Sequence, residues 1–490
     1  MLQILAQACT RPFATPGRAL GLLAFYVVAH AAARLFLMPS SLGYDDAEQV
    51  LFAQSWSLGY RFQQPPLVTW LVLGLRDVAG LAPGLVSLTL LRSTLLVALH
   101  LGLYLAAQHW IGDSRRAALA SAALATTYTL GYLAHGDLLV STALAAAVAF
   151  SLWTWGRLLE RPTLGRTVAF GVVCGIGLLA KWNFVIVALA CLLVGLARPS
   201  TRALVLSWRT PLVVAIATLM AGPTALWVLA HHPSFGGLSQ EVLVTPAADR
   251  TAWEGAVQLA LSALAFPQPM LVLVLLAAWP ALGRLPERVR PLAWVMAVAF
   301  GLHALLIPLA GAVNFPERWM ITVEMPLAIL VFAAMRPEPA RLSIVAATIL
   351  VVVAGAWSIR TGIGLTDAAY CDRCRTRLPV AAFVDGLREA GFARGTVVVG
   401  DMHLGGNLQA ALGGTGRVVM PTYPAGIWPA PGDGLCVAAG REGTVPPSTA
   451  ALGGDLAARP IQVVRAPILG STDVEQGMAF RLGPGEGQCR

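Results

Sequence analysis

The stretch "GYDDAEQVLFAQSWSLGYRFQQPPLVTW", residues 43–70, follows a long apolar run and places Asp45, Asp46 and Glu48 within four positions before reaching Pro65-Pro66. Acids this close to the rim of a hydrophobic segment can cap the next helix and satisfy its orphan amides. Their company suggests more. Gln49, Gln54, Tyr60, Arg61, Gln63 and Gln64 fill the same loop with hydrogen-bonding groups, and the proline pair stiffens its return. A carboxylate held at a partly dry interface binds protons more tightly, which suits a general base.

The rest of the chain says what this rim borders. Of 490 residues, 57% are apolar and 12% charged, and the mean hydropathy is +0.69. Those values belong to a membrane protein. Apolar runs recur at 19–38, 84–107, 117–134, 137–156, 167–180, 184–197, 210–230, 268–283, 291–310, 319–335 and 342–358. They predict about eleven transmembrane helices. The short runs 167–180 and 184–197 meet at "KWN" and leave a tilted hairpin or a re-entrant pair open. Residues 1–33 have the basic and small-residue features of a signal peptide, but the apolar run continues to Met38 and favours an uncleaved first span.

Arginines mark alternate loops: Arg11 and Arg18; Arg115 and Arg116; Arg157, Arg161 and Arg166; Arg198, Arg202 and Arg209; Arg284, Arg288 and Arg290; Arg336 and Arg341. Basic residues near span ends stay inside. The pattern therefore predicts a cytoplasmic N-terminus, with the acidic loop (39–83) and the C-terminal part outside. The net charge of +9 reflects this inner fringe and does not call for nucleic acid as a partner.

Two further outward loops add polar groups. "AHGDLL" supplies His135 and Asp137, and "LAKWNF" supplies Lys181. Lys181 is the chain's single lysine among 34 basic residues, on the side that otherwise lacks positive charge. It either snorkels at a span end or holds an anion. "NFPERWM" supplies Glu317 and Arg318, where the arginine either pairs with Glu317 or serves a phosphate. Carboxylates and cations gathered at one membrane face suit a lipid-phosphate substrate entering from the bilayer. Cations would hold the phosphate while an acid activates an acceptor hydroxyl.

Sustained hydrophobicity ends near residue 360, dividing the chain into a transmembrane domain (1–360) and a soluble tail (361–490). "TVVVGD" (396–401), "RVVMP" (417–421), "LCVAAG" (435–440) and "IQVVRAPI" (461–468) predict strands, and "PVAAFVDGLREAGF" (379–392) an amphipathic helix. The expectation is a small α/β domain. "GGNLQAALGG" (405–414) lacks the phosphate-loop lysine and reads as a turn followed by a short helix. Cys371, Cys374, Cys436 and Cys489 all fall in this external tail and favour disulfides over a zinc site or a redox pair. Cys9, Cys174 and Cys191 read as free thiols.

The acidic pair after the first span, "GY", "PPL" and "W", followed by "LLRS" (91–94), "HGDLL" (135–139), "GIGLLAKWNF" (175–184) and "ERWM" (317–320), resemble the GT-C membrane glycosyltransferases, in their protein mannosyltransferase and aminoarabinose transferase-like group. The resemblance covers most of the membrane part. It implies a GT-C-like polytopic helical fold and sugar transfer, usually with inversion, from a polyprenyl-phosphate donor to a lipid, polysaccharide or protein acceptor. It also implies a bacterial inner (plasma) membrane, with membrane lipids as neighbours and a periplasmic tail.

In that family the first-loop aspartate is catalytic. Asp45 matches it best, but Asp46 stands where the family usually has Glu, and the distance to the prolines is one residue longer, so the choice between Asp45 and Asp46 stays open. Gln64 replaces a common histidine. Lys181, Arg318 and Arg61 are expected at the donor phosphate, with Glu48, Tyr60, Gln64, His135 and Asp137 binding acceptor or supporting the site. A divalent metal at the acids is possible, though no histidine spacing demands one. The alternatives are a secondary transporter, for which Arg92 and His100 would line a path, or a noncatalytic envelope assembly protein.

Overall fold

The computed structural model describes residues 11–231, 251–369, 376–430, 434–444, 456 and 459–484. They group into two compact units. One takes the described residues of 1–30, 62–65 and 92–358; the other takes those of 31–61, 66–91 and 359–490.

The first unit is a bundle of apolar helices. Six helices across the described residues are long and apolar enough to cross a membrane: Pro16–Phe36, Leu85–Ile111, Leu139–Glu160, Arg209–His231, Glu287–Ala310 and Pro339–Ala369. Three bent pairs raise the number to as many as nine, with breaks of 78° after Leu124, 120° after Ala197 and 54° after Ala265. The apolar runs expected from sequence are all helical, and the difference from eleven lies in segments that are bent or short, such as Leu164–Ala180 and Ile321–Ala334. Leu164–Ala180 and Phe184–Ala197 are separate helices joined at "KWN", and the ring of Phe184 packs on Gly177, where a Cβ would fall 2.4 Å from it.

Inside the bundle His100 and Ser121 satisfy one another, as a medium without water favours. The Nδ1 of His100 meets the carbonyl of Ser121 at 3.1 Å, and the Ser121 hydroxyl donates to the carbonyl of His100 at 2.8 Å. That arrangement is a cross-brace between helices.

The second unit is a mixed five-stranded sheet with helices. Strands β1 (Gly395–Val399), β2 (Gly416–Val419), β3 (Leu435–Arg441), β4 (Gln462–Pro467) and β5 (Glu475–Pro484) lie in the order β2-β1-β3-β5-β4. β1 runs parallel to β2 and β3, whereas β5 is antiparallel to both β3 and β4. The four strands expected from sequence are present; β5, with its glycines and charges, carried no clear alternation. Val397, Val399, Val437 and Phe480 bury one face against the helices Val380–Glu389 and Met402–Leu412.

Leu51, from the acidic loop, belongs to this same core. The loop that the sequence groups with the spans thus folds as part of the second unit. "GGNLQAALGG" also differs from its reading. Gly405 and Gly406 lie within the Met402–Leu412 helix, and the turn comes afterwards, at Gly413–Thr415.

Candidate active site

The acids lie on a nine-residue helix, Tyr44–Phe52, that begins after the extended Gly43. Asp45 and Asp46 occupy its first turn, where the helix dipole favours negative charge. Arg34 prepares the entry by donating to the carbonyls of Pro39 and Ser41. The Met402–Leu412 helix then seats it. Gly406 approaches so closely that a Cβ there would lie 1.9 Å from the carbonyl oxygen of Ala47. Only glycine permits that approach.

The same tail helix clamps the residue before the turn. Asn407 accepts from the backbone N–H of Leu42 through Oδ1 at 2.8 Å and donates back to its carbonyl through Nδ2 at 3.2 Å, as a neighbouring strand would. His403 places Nε2 2.7 Å from the same carbonyl, and its Nδ1 is 2.8 Å from a guanidinium nitrogen of Arg441. A carbonyl can only accept and a guanidinium can only donate, so Nε2 carries the proton and the ring is neutral. Arg441 is held in turn by Asp401, at 3.1 Å, and Tyr44 stacks on His403 with ring centroids 4.7 Å apart.

Asp45 is half-buried, while Asp46 and Glu48 are buried. Glu48 pairs with Arg61 at 2.5 Å. Burial nonetheless pushes the Glu48 carboxyl up to about 7, against the pull of Arg61 and with help from the charge of Asp45. Arg61 also donates to the hydroxyl of Tyr423, whose proton affinity is raised by burial and by Glu48. Phe52 stacks on Tyr60 at 5.3 Å and meets Tyr423 edge-on at 5.1 Å, with Trp428 adjacent. Tyr60 is enclosed, and its hydroxyl donates to the carbonyl of Ser55, so it supports the loop from within. Asp45, Asp46, Glu48, Tyr60 and Arg61 are therefore one constellation. Sequence reasoning missed Tyr423, Trp428, His403, Asn407 and Arg441, because nothing in a tail strand or helix announces a partner more than 350 positions away.

The other expected residues lie in the membrane unit, His135 and Asp137 within residues 127–141 and Lys181 and Glu317 bonded to that segment. A wide π-type turn, Tyr128–Tyr132, opens this segment, and Leu138 adopts a left-handed conformation (φ 60°) before the Leu139–Glu160 helix. Both features are uncommon and often mark functional positions. Thr129 donates to the carboxylate of Glu317, and the neighbouring Arg318 is exposed. Among the described residues no ion pair joins Glu317 to Arg318. Lys181, half-buried, donates to the Ser141 hydroxyl at 3.4 Å. His135 stacks on His30 at 3.8 Å, with Tyr26 edge-on to both. Asp137 accepts from the N–H of Leu138 at 3.0 Å. Gln64 lies with Phe62–Pro65 in this unit, where the carbonyl of Phe62 accepts from the indole of Trp182.

Among the described residues no three His, Cys, Asp or Glu side chains converge as a metal cage requires. Cys436 is buried and disulfide-bonded, and Cys174 and Cys191 are free thiols. Cys371, Cys374 and Cys489 lie outside the described residues, as does Cys9.

The chain has the GT-C fold, and the known proteins it resembles are membrane glycosyltransferases. Residues 63–227 match the dolichyl-phosphate-mannose-protein mannosyltransferase family. The chain is 29% identical over 438 residues to the lipopolysaccharide core galacturonosyltransferase RgtA of Rhizobium johnstonii, covering 86% of this chain and 84% of that protein. It is also 29% identical to RgtB of the same organism over 308 residues, 61% of each chain. The crystal structure of ArnT from Cupriavidus metallidurans bound to undecaprenyl phosphate shares the fold, with a TM-score of 0.60 at 14% identity over 94% of this chain and 98% of that one.

Proposed function

We propose that the protein moves a sugar from a polyprenyl-phosphate donor to a lipid, polysaccharide or protein acceptor at the periplasmic face of a bacterial inner membrane, with inversion at the anomeric carbon. The observation that carries this reading is the Tyr44–Phe52 helix, whose half-buried Asp45 stands beside the paired Glu48 and Arg61 in a fold shared with a protein solved with undecaprenyl phosphate. The names of the Rhizobium relatives favour a uronic acid as the sugar and a lipopolysaccharide core as the acceptor.

In this mechanism Asp45, or Asp46 in its place, takes the proton of the acceptor hydroxyl as that oxygen attacks the anomeric carbon. The bond to the donor phosphate breaks with its electron pair, and the charge that collects on the leaving phosphate is met by Lys181 and Arg318. Glu48 holds Arg61 in position, so that Arg61 supports the acidic turn or reaches the phosphate. The N-terminus is cytoplasmic and the tail periplasmic. Transfer of label from a polyprenyl-phosphate sugar to a glycolipid acceptor by the purified chain tests the reading. Transport of the donor across liposomes with no transfer product would replace it with the transporter alternative.

A further inference from the structure

Two buried polar side chains of the membrane unit carry groups that bond to nothing among the described residues. The first is Asn183. An asparagine just before a helix ordinarily caps it, its side chain accepting from the first amides. At "KWN" the backbone takes that role instead: the N–H groups of Phe184, Val185 and Ile186 donate to the carbonyls of Lys181, Trp182 and Asn183. The Asn183 side chain makes no cap to the Phe184–Ala197 helix, and its Oδ1 and Nδ2 are both buried without a hydrogen-bond partner among the described residues. Its neighbours hold the turn in place. Lys181 donates to the Ser141 hydroxyl, and the Trp182 indole donates to the carbonyl of Phe62.

The second is Glu324, in the Ile321–Ala334 helix, with 9% of its surface exposed. Its Oε2 has no hydrogen-bond partner, and no ion pair among the described residues includes it. The charge within its reach is that of Glu317, which has the same sign. An acid kept inside an apolar bundle at such a cost ordinarily marks a substrate position.

The helices Leu139–Glu160, Phe184–Ala197 and Ile321–Ala334 pack against one another, and each runs toward an arginine-marked loop, at Arg157, Arg198 and Arg336. Ser141, Asn183 and Glu324 stand in or just before the first turns, at the opposite ends. An amide offers two donors and an acceptor, and a carboxyl offers further acceptors. Hydroxyls of a sugar ring match that set. A polyprenyl chain offers no partner, and a phosphodiester has no proton to donate.

We propose that Asn183 and Glu324 bind hydroxyls of the donor sugar, beside the Lys181 proposed for its phosphate, and thereby select the sugar. The proposal rests on the transfer reading for the donor. Selectivity follows because a sugar without the matching hydroxyl leaves a buried polar group unpaired.

The full chain in nanodiscs is titrated with undecaprenyl phosphate and with undecaprenyl-phosphate-linked galacturonic acid. The sugar is expected to tighten binding to the wild type. Asn183→Leu and Glu324→Met replace each side chain by an apolar one of similar size, so the thermal midpoint should hold or rise. Each should bind undecaprenyl phosphate as the wild type does, yet bind the sugar-linked lipid about ten-fold more weakly and raise the donor KM by a similar factor, with the acceptor KM unchanged. Should either fail to fold, Asn183→Ser and Glu324→Gln carry the same expectation for binding. An undiminished gain from the sugar in both variants overturns the proposal while transfer persists, and a lowered thermal midpoint beside it makes both residues structural. Equal loss for the two ligands assigns the pair to the phosphate or the lipid chain, and a rise confined to the acceptor KM assigns it to the acceptor; either overturns the donor-sugar site. A wild-type chain that gains affinity from the sugar and transfers none sinks the transferase reading and leaves the sugar site standing.

Discussion

The acidic constellation and the cationic one are built in opposite ways. Asp45, Asp46 and Glu48 come from one short helix, and their placement depends on a tail helix that grips it from outside. Lys181, Glu317 and Arg318, His135 and Asp137 come from three loops far apart in the chain, three of whose residues bond or border residues 127–141, a bent break between two membrane helices. Proximity in sequence made the acids visible as a group but hid what orients them. Distance in sequence scattered the cations, yet each stood out because lysine or arginine at a span end away from the arginine-marked loops is uncommon in this chain.

The comparison breaks first at Asp45. Asp45→Asn is expected to lower single-turnover transfer about 10³-fold with the thermal midpoint unchanged, since it removes a proton acceptor at constant volume. Asp46→Asn should fall between this variant and wild type. Near-normal turnover in both would remove the catalytic role from the acidic helix.

The cations come next. Lys181→Met and Arg318→Met keep the apolar stem and delete the charge, and each should lose about 2–4 kcal/mol of barrier lowering, read as slower transfer on the folded fraction. If the two only snorkel or pack, insertion or stability changes instead and the folded molecules turn over normally. That result would leave the acidic region alone as the site.

The tail's grip on the acidic helix is tested at Gly406. Gly406→Ala drives a methyl toward the carbonyl of Ala47 and should cost about 1–3 kcal/mol of stability together with activity. Asn407→Ala leaves both backbone groups of Leu42 without this partner and should cost a similar amount. Thermal unfolding followed at the tail and at the acidic loop together checks the coupling; loss at the tail with full activity would separate them.

The smallest effect is in the pH dependence. Glu48 binds its proton more tightly in the folded chain, at about 7, than its ordinary value of 4.5. Its favourable contribution is therefore complete below 4.5 and declines as pH rises through 7. Glu48→Gln should flatten that part of the stability curve, measured as thermal midpoint between pH 4 and 8. An identical slope in the variant would assign it elsewhere.

The sequence by itself determined that the chain is a polytopic helical membrane protein with an α/β tail, because a span in lipid needs a long unbroken apolar run, whereas a strand buried on both faces needs only a short one bounded by turn residues. It also singled out the residues whose chemistry is rare in such a background: the acidic turn, Lys181, and the "ERWM" motif. Only the tertiary structure decided that Leu51 fills the tail's core, that His403 and Asn407 hold the approach to Asp45, and that Tyr423 shares Arg61 with Glu48. Those facts join residues hundreds of positions apart through single hydrogen bonds and one glycine's missing methyl. Such contacts have no period and no composition. They exist only once the chain has closed on itself.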